Sequence, residues 1–261
     1  MIQRGAQMLI GMVHVGALPG SPRASEPIAE LVRRAAAEAR VLVEAGFDGV
    51  IVENMHDRPY VNTHGPEVVA AMTRVCLAVR EAVGDRPLGV QVLSRGEREA
   101  LAVAAACGAQ FIRCENFVFS HVADEGLMVD AAAGPLLRYR VSIGAQHIRV
   151  FADLKKKHAS HALTADISLT EAAQAAEFFG ADAVIVTGTA TGKPADQGHV
   201  AEVRAAVPLP VLVGSGVTPA QVKPLFQHAD ALIVGSYIKA GGVWSNPVDP
   251  VRCREIVAAR G

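Results

Sequence analysis

The sequence has few cysteines and none in a recognisable partnership. Cys76, Cys107, Cys114 and Cys253 are the four in 261 residues. They are too scattered for a CxxC pair or a zinc cradle, and are expected as reduced thiols in packed positions. Nor is there an excess of charge: 25 Lys and Arg against 26 Asp and Glu leave a formal net charge of −1. That balance excludes a nucleic-acid-binding stripe and a polybasic membrane patch. No apolar run approaches the ~20 residues that span a bilayer. The opening Met1-Ile2-Gln3-Arg4-Gly5-Ala6-Gln7 lacks the charged-then-apolar layout of a signal peptide. The expectation is a cytoplasmic protein with a small-molecule partner, no nucleic acid and no membrane insertion.

What is present is a regular alternation, with 51% hydrophobic residues to bury. Short β-branched runs are read as strands at Leu9–Val13, Gly49–Val52, Leu88–Val92, Phe111–Cys114, Ile148–Ala152, Ala183–Val186, Val211–Val213 and Ala231–Val234. Ala-rich amphipathic stretches follow them at Pro27–Ala45, Pro66–Val83, Glu97–Cys107, Gly134–Gly144, Leu169–Phe179, Gln197–Ala206, Pro219–Phe226 and Pro250–Ala259. Eight strand–helix units without a Gly-rich dinucleotide turn after the first strand predict a closed (β/α)8 TIM barrel rather than an open doubly wound sheet. The chain length fits one such domain over residues 1–261. Segments at Ala45–Asp48, Cys107–Gln110 and Phe179–Asp182 read as left-handed helix caps. Phe117–Ala133 is too long for a simple connection, and its alternation around Asp124-Glu125-Gly126 predicts a small hairpin after the fourth strand, either a lid or a contact in a homo-oligomer.

The sharpest chemical signal is a pair of Gly-containing strand ends. Gly214-Ser215-Gly216, with Thr218-Pro219 as a helix start, follows the seventh strand, and Gly235-Ser236 follows the eighth. In this architecture those loops present backbone N–H groups to phosphate. Polar residues end the first five strands: His14, Glu53 with Asn54, Gln91 with Ser94, Glu115 with Asn116, and Asp153. Such positions open into the barrel mouth, where Glu53 and Glu115 are expected to share a cavity with His14 and Asp153. Crowded carboxylates suit proton transfer, or a divalent cation: Mg²⁺ or Mn²⁺, with Zn²⁺ only if His14 or His158 joins. Pairing with Arg113 or Lys155 is the plainer alternative.

After the fifth strand comes Asp153-Leu154-Lys155-Lys156-Lys157-His158-Ala159-Ser160-His161. Asp153 and Lys157 share inward parity if the strand continues extended. Lys157 then serves as ion-pair partner, imine-forming amine or anion clamp, while Lys155 and Lys156 read equally well as solvated. Thr187-Gly188-Thr189-Ala190-Thr191-Gly192 supplies hydroxyls and glycines for a ligand-contacting loop. The remaining histidines, His56 and His121 among them, have no distinctive spacing and read as surface or packing residues.

Taken together, Gly11-Met12-Val13-His14 with Leu18-Pro19-Gly20-Ser21-Pro22, Asp48–Asn54, Phe151-Ala152-Asp153 with Lys157-His158-Ala159, Val186-Thr187-Gly188 with Ala190-Thr191-Gly192, Val213–Thr218 and Asn246–Pro250 resemble the BtpA/SgcQ family over essentially the whole chain. The resemblance implies a ribulose-phosphate-binding type of barrel. One member of that family is associated with photosystem I biogenesis and another lies among sugar-utilisation proteins, so the resemblance implies two functional classes. The first is an isomerase or lyase on a phosphorylated sugar or related metabolite, with Asp153 or Glu53 as base and Lys157 or His14 as acid or electrophile. The second is a non-catalytic assembly or regulatory factor of the photosystem I biogenesis type.

Overall fold

Strand residues buried on both faces read as near-continuous apolar runs, and here eight such runs close on themselves. The computed structural model describes residues 2–188, 195–214 and 216–261. Its strands are β1 (Met8–His14), β2 (Gly49–Glu53), β3 (Leu88–Gln91), β4 (Phe111–Cys114), β5 (His121–Ala123), β6 (Gly126–Met128), β7 (Arg149–Leu154), β8 (Ala159–Ser160), β9 (Ala183–Thr187), β10 (Val211–Gly214) and β11 (Ala231–Val234). The helices are α1 (Ile28–Ala45), α2 (Pro66–Val83), α3 (Glu97–Cys107), α4 (Ala133–Ser142), α5 (Leu169–Phe178), α6 (Gln197–Ala206), α7 (Pro219–Leu225) and α8 (Pro250–Ala258). The barrel order is β1-β11-β10-β9-β7-β4-β3-β2, with β2 returning to β1 and neighbouring strands parallel.

Side chains alternate between the two faces of each strand. Ile10, Met12, Ile51, Phe111, Phe151, Ile185, Leu212 and Ile233 form one cluster inside the barrel. Phe111 stacks on Phe151 with ring centroids 4.5 Å apart, and Gly89 leaves the space into which the Phe111 ring projects. The alternate residues, such as Leu9, Val13, Val50 and Val52, join the outer layer beneath the helices. In α1 the buried stripe Leu31, Ala35, Ala39 and Leu42 recurs every three or four residues, as an amphipathic helix on a sheet requires.

Gly46 and Gly108 cap α1 and α3 in the left-handed conformation, and Gly180 follows α5 with φ 88. The hairpin after β4 is present: β5 and β6 pair antiparallel, and β8 adds on the other side of β5. All four thiols are free and buried. Among the described residues, no helix is long and apolar enough to cross a membrane.

Candidate active site

The layer above the apolar barrel interior is set by strand parity. Two residues beyond inward-facing Met12, Ile51, Phe111, Phe151, Ile185, Leu212 and Ile233 come His14, Glu53, Arg113, Asp153, Thr187, Gly214 and Gly235. Gln91 completes the ring, being two beyond Gly89 and paired in register with Glu53. Polar side chains and bare backbone thus replace hydrocarbon at one level of all eight strands, at the end where enzymes of this architecture place their chemistry.

Burial makes this ring electrostatically demanding, since each charge must find a partner or change its protonation. Arg113 donates Nε and Nη2 to the two carboxylate oxygens of Asp153 at 3.0 and 2.9 Å. Burial opposes the guanidinium charge, but the Asp153 carboxylate more than offsets it and holds the Arg113 pKa above its ordinary value. Glu115 accepts from Lys156 Nζ at 3.3 Å, and Glu125 in the hairpin turn lies 3.8 Å from the same ammonium. Burial raises the Glu115 carboxyl, yet Lys156 and Arg113 pull it below the ordinary range. For Lys156 the balance also favours charge: burial lowers its pKa, and Glu115 and Glu125 raise it further.

In Glu53, His14 and Lys157 the shift is towards the neutral form. Burial is the main cause of a Glu53 pKa of about 7, against the pull of Arg113 and Lys157. His14 is held well below its ordinary value by burial and by Lys239. Its Nδ1 lies 2.9 Å from the Trp244 carbonyl; a carbonyl only accepts, so Nδ1 carries the proton and neutral His14 turns the lone pair of Nε2 inward. Lys157 is lowered by burial first and then by Arg113, with Glu53 opposing. Among the described residues no carboxylate oxygen lies within 4.0 Å of its Nζ.

Two adjoining cavities share Glu53, Met55, Arg113 and Lys157. The mouth, about 290 Å³, is also walled by Arg58, Tyr60, Glu115, Lys156, His158 and Trp244. The deeper one adds His14, Gly235 and Ser236. Gly235 stands beside His14, a Cβ there lying 3.7 Å from Nε2.

Several expectations are corrected by this geometry. Asp153 and Glu115 do not stand as bare carboxylates with Glu53, because buried acids are held by Arg113 and Lys156. The lysine that pairs with Glu115 is Lys156, not Lys155, whose Nζ donates to the Ile167 carbonyl. Lys156 is therefore not a solvated loop residue. Lys157 reaches the mouth although the strand does not continue: β7 ends at Leu154 and Lys155 turns with φ 47.

Asn54 and Asn116 have the opposite parity from Glu53 and Glu115, and serve as framework. The Asn54 amide donates to Asp57 Oδ2 and the Leu93 carbonyl, and accepts from the Leu93 N–H at 2.6 Å. Asn116 Nδ2 donates to the Asp130 carbonyl. His158 lines the mouth, while His161 sits on the Lys156 carbonyl at 2.9 Å. Among the described residues no three His, Cys, Asp or Glu side chains gather to hold a metal ion. Gly188 and Gly214 are buried, and Gly216 turns with φ 69. Thr191, Gly192 and Ser215 lie outside the described residues.

Arg113, Tyr60, Glu125 and Trp244 were not picked out as site residues in the sequence. Parity with Glu115 is the signal that marks Arg113; the others arrive from loops and carry none. Buried polar atoms without partners mark the same ring: among the described residues, both amide atoms of Gln91 and the Thr187 hydroxyl have no hydrogen bond.

The model of the BtpA family matches residues 5–260. An uncharacterised Caenorhabditis elegans protein labelled mitochondrial is 46% identical over 94% of this chain and 90% of its own length. The photosystem I biogenesis protein BtpA of Synechocystis is 34% identical over 96% of this chain and 87% of its own. Among solved structures, thiamine phosphate pyrophosphorylase from Pyrococcus furiosus superposes with a TM-score of 0.61 at 12% identity, covering 99% of this chain and 98% of that one. The (S)-3-O-geranylgeranylglyceryl phosphate synthase of Thermoplasma acidophilum, in complex with sn-glycerol-1-phosphate, gives 0.59 at 18% identity, covering 98% and 94%. The structures show a shared barrel, and the family match with its full-length relatives shows more: the chain belongs to the BtpA family.

Proposed function

We propose that this chain is an enzyme acting on a phosphorylated sugar or related phosphorylated metabolite, by isomerase- or lyase-type acid–base chemistry at the barrel mouth. The observation that carries the reading is the deeper cavity, where Glu53 and Lys157, both with proton affinities moved towards neutrality, face Gly235 and Ser236 across one space. A carboxyl near pKa 7 both takes and returns a proton at physiological pH. Glu53 removes a proton from a carbon beside a carbonyl. The charge that develops on the carbonyl oxygen is met by Lys157 and Arg113. Neutral His14 accepts a hydrogen bond from a substrate hydroxyl through Nε2.

The loops after β10 and β11, at Gly214–Gly216 and Gly235–Ser236, anchor the phosphate. One of the two solved barrels named above is a thiamine phosphate pyrophosphorylase and the other holds sn-glycerol-1-phosphate, in keeping with this reading. Arg113 and Lys156 hold Asp153 and Glu115, and burial favours the neutral form of Glu53, so the reading needs no divalent cation. A cytoplasmic homo-oligomer belongs to the same proposal; Phe178 and Phe179, 86% and 52% exposed, offer apolar surface for a subunit contact.

A panel of sugar phosphates tested by thermal shift checks the reading, because a ligand of the native state raises apparent stability. Phosphate esters should raise the Tm of the wild type, and Gly235→Asp should remove the response by adding bulk and like charge. An unchanged response in that variant overturns the phosphate assignment. The Synechocystis relative supports a second reading as an assembly factor. Under that reading, Glu53→Gln and Lys157→Met complement a deletion strain fully; under the first they do not.

A further inference from the structure

A second cavity, about 320 Å³, lies on the other side of His14, enclosed by the loop after β1, the start of α1, the loop after β2 and the segment Ser245–Pro247. Its cations outnumber its paired acids. Arg34 holds Glu26 at 2.9 Å, and behind the wall the fully buried Lys239 holds Glu38 at 2.7 Å. Arg23 and Arg58 remain, and among the described residues neither has a carboxylate within 4.0 Å. Arg58 Cζ lies over the Trp244 ring, 4.5 Å from its centroid, and among the described residues its buried Nε has no hydrogen-bond partner.

The guanidinium thus sits over the indole with, among the described residues, no carboxylate to neutralise it, which suits recognition of a phosphoryl group. His56, 5.0 Å from Trp244, has its pKa lowered to about 4 by burial and by Arg34, Lys239 and Arg58. Burial is the larger part of that shift and favours no charge, but the part due to Arg34, Lys239 and Arg58 is a positive field that attracts an anion. Gly16 fits the same picture, since a Cβ there would collide with the Arg34 guanidinium and Leu31, so the backbone is bare where Arg34 is seated.

We propose that this cavity is a second anion subsite, taking a phosphate or diphosphate group through Arg58 and Arg23. Because His14 lines both this cavity and the deeper one with Gly235, the ligand class it points to carries anionic groups at both ends. That bridging rests on the phosphate reading above; anion binding at Arg58 does not.

Calorimetric titration of the full chain with inorganic phosphate and with pyrophosphate tests it. Wild type should show two phosphate-binding events. Arg58→Met and Arg23→Met should each weaken one of them by about tenfold or more, the loss of a charge-assisted contact. Arg58→Lys, which keeps the charge without the forked donors, should weaken it less; circular dichroism confirms that each variant is folded. Gly235→Asp should remove the other event alone. Isotherms unchanged in both Arg58→Met and Arg23→Met overturn the subsite, and if Gly235→Asp then abolishes all binding the phosphate reading stands without it. Loss confined to the arginine variants supports the subsite and overturns the phosphate reading. No phosphate binding at all overturns both.

Discussion

Glu53 Oε2 lies 3.7 Å from His14 Nε2, and burial moves the two side chains in opposite directions on the proton scale: the acid is raised to about 7 and the base falls well below its ordinary value. Both changes favour the neutral form. The neutral pair fits a dry barrel mouth at a separation too long for a direct hydrogen bond.

A dependence of stability on pH follows. Protonated Glu53 is favoured by the fold, so its contribution is fully present below the ordinary carboxyl range and is lost as pH rises through about 7. Glu97, buried at the start of α3, is raised to about 7 for the same reason and adds to the loss. A difference of this size is worth about 3 kcal/mol at most for each group. Between about pH 5 and about pH 8 the histidines that burial holds neutral, His14, His56 and His121, work in the opposite sense, so the carboxyl part is read by urea unfolding of variants against wild type. The stability of Glu53→Gln and of Glu97→Gln relative to wild type should each rise by about 2–3 kcal/mol from about pH 5 to about pH 8; slopes identical to wild type in both variants would contradict the burial argument.

The Arg113–Asp153 pair should behave as a unit. Removing one partner leaves a buried charge without compensation, so Arg113→Met or Asp153→Asn alone should cost about 3–5 kcal/mol. The double variant should cost less than the sum of the two, with a coupling of about 1–3 kcal/mol in a denaturant double-mutant cycle. Additive losses would mean that the bidentate geometry carries no coupling.

Gln91 and Asn54 should separate ligand contact from framework. Gln91 is 1% exposed and among the described residues neither of its amide atoms has a partner, so Gln91→Leu should leave stability unchanged or raise it by about 1 kcal/mol while weakening phosphate-ester binding. Asn54→Leu should do the reverse, costing about 2 kcal/mol or more through stranded partners at Leu93 and Asp57. Equal effects of both on stability and binding would erase the distinction.

How much of this was legible in the sequence depends on which distances had to be known. The eight barrel strands could be read because burial on both faces leaves an apolar run such as Ala231–Val234 and a glycine cap such as Gly46. The hairpin could be read because its alternation broke the rhythm. Strand ends likewise pointed to His14, Glu53 and Asp153. The alternation that turns Asn54 and Asn116 away from the mouth was also present in the sequence, but a polar pair at a strand end hides which member faces inward. The pairing of Lys156 with both Glu115 and Glu125 depends on a tight turn and a folded-over hairpin, and Arg58 on Trp244 joins residues far apart in sequence. No local pattern encodes either.

Adjacent lysines with opposite environments give the last prediction. Lys156 is buried between Glu115 and Glu125, which hold its proton. Lys157 has no carboxylate within 4.0 Å among the described residues, and burial with Arg113 nearby loosens its proton. Only an unprotonated amine attacks a carbonyl, so near neutral pH Lys157 should react much faster than its neighbour. Pyridoxal 5′-phosphate is a suitable probe, bringing an aldehyde for the amine and a phosphate for the loops after β10 and β11. Imine formation releases water, and borohydride reduction fixes the adduct as a secondary amine. Peptide mapping by mass spectrometry should find the label at Lys157, with Lys156 unmodified. Inorganic phosphate should protect the wild type, and Gly235→Asp should slow the labelling. Preferential modification of Lys156, or labelling spread evenly over exposed lysines and indifferent to phosphate, would remove Lys157 from the proposed chemistry.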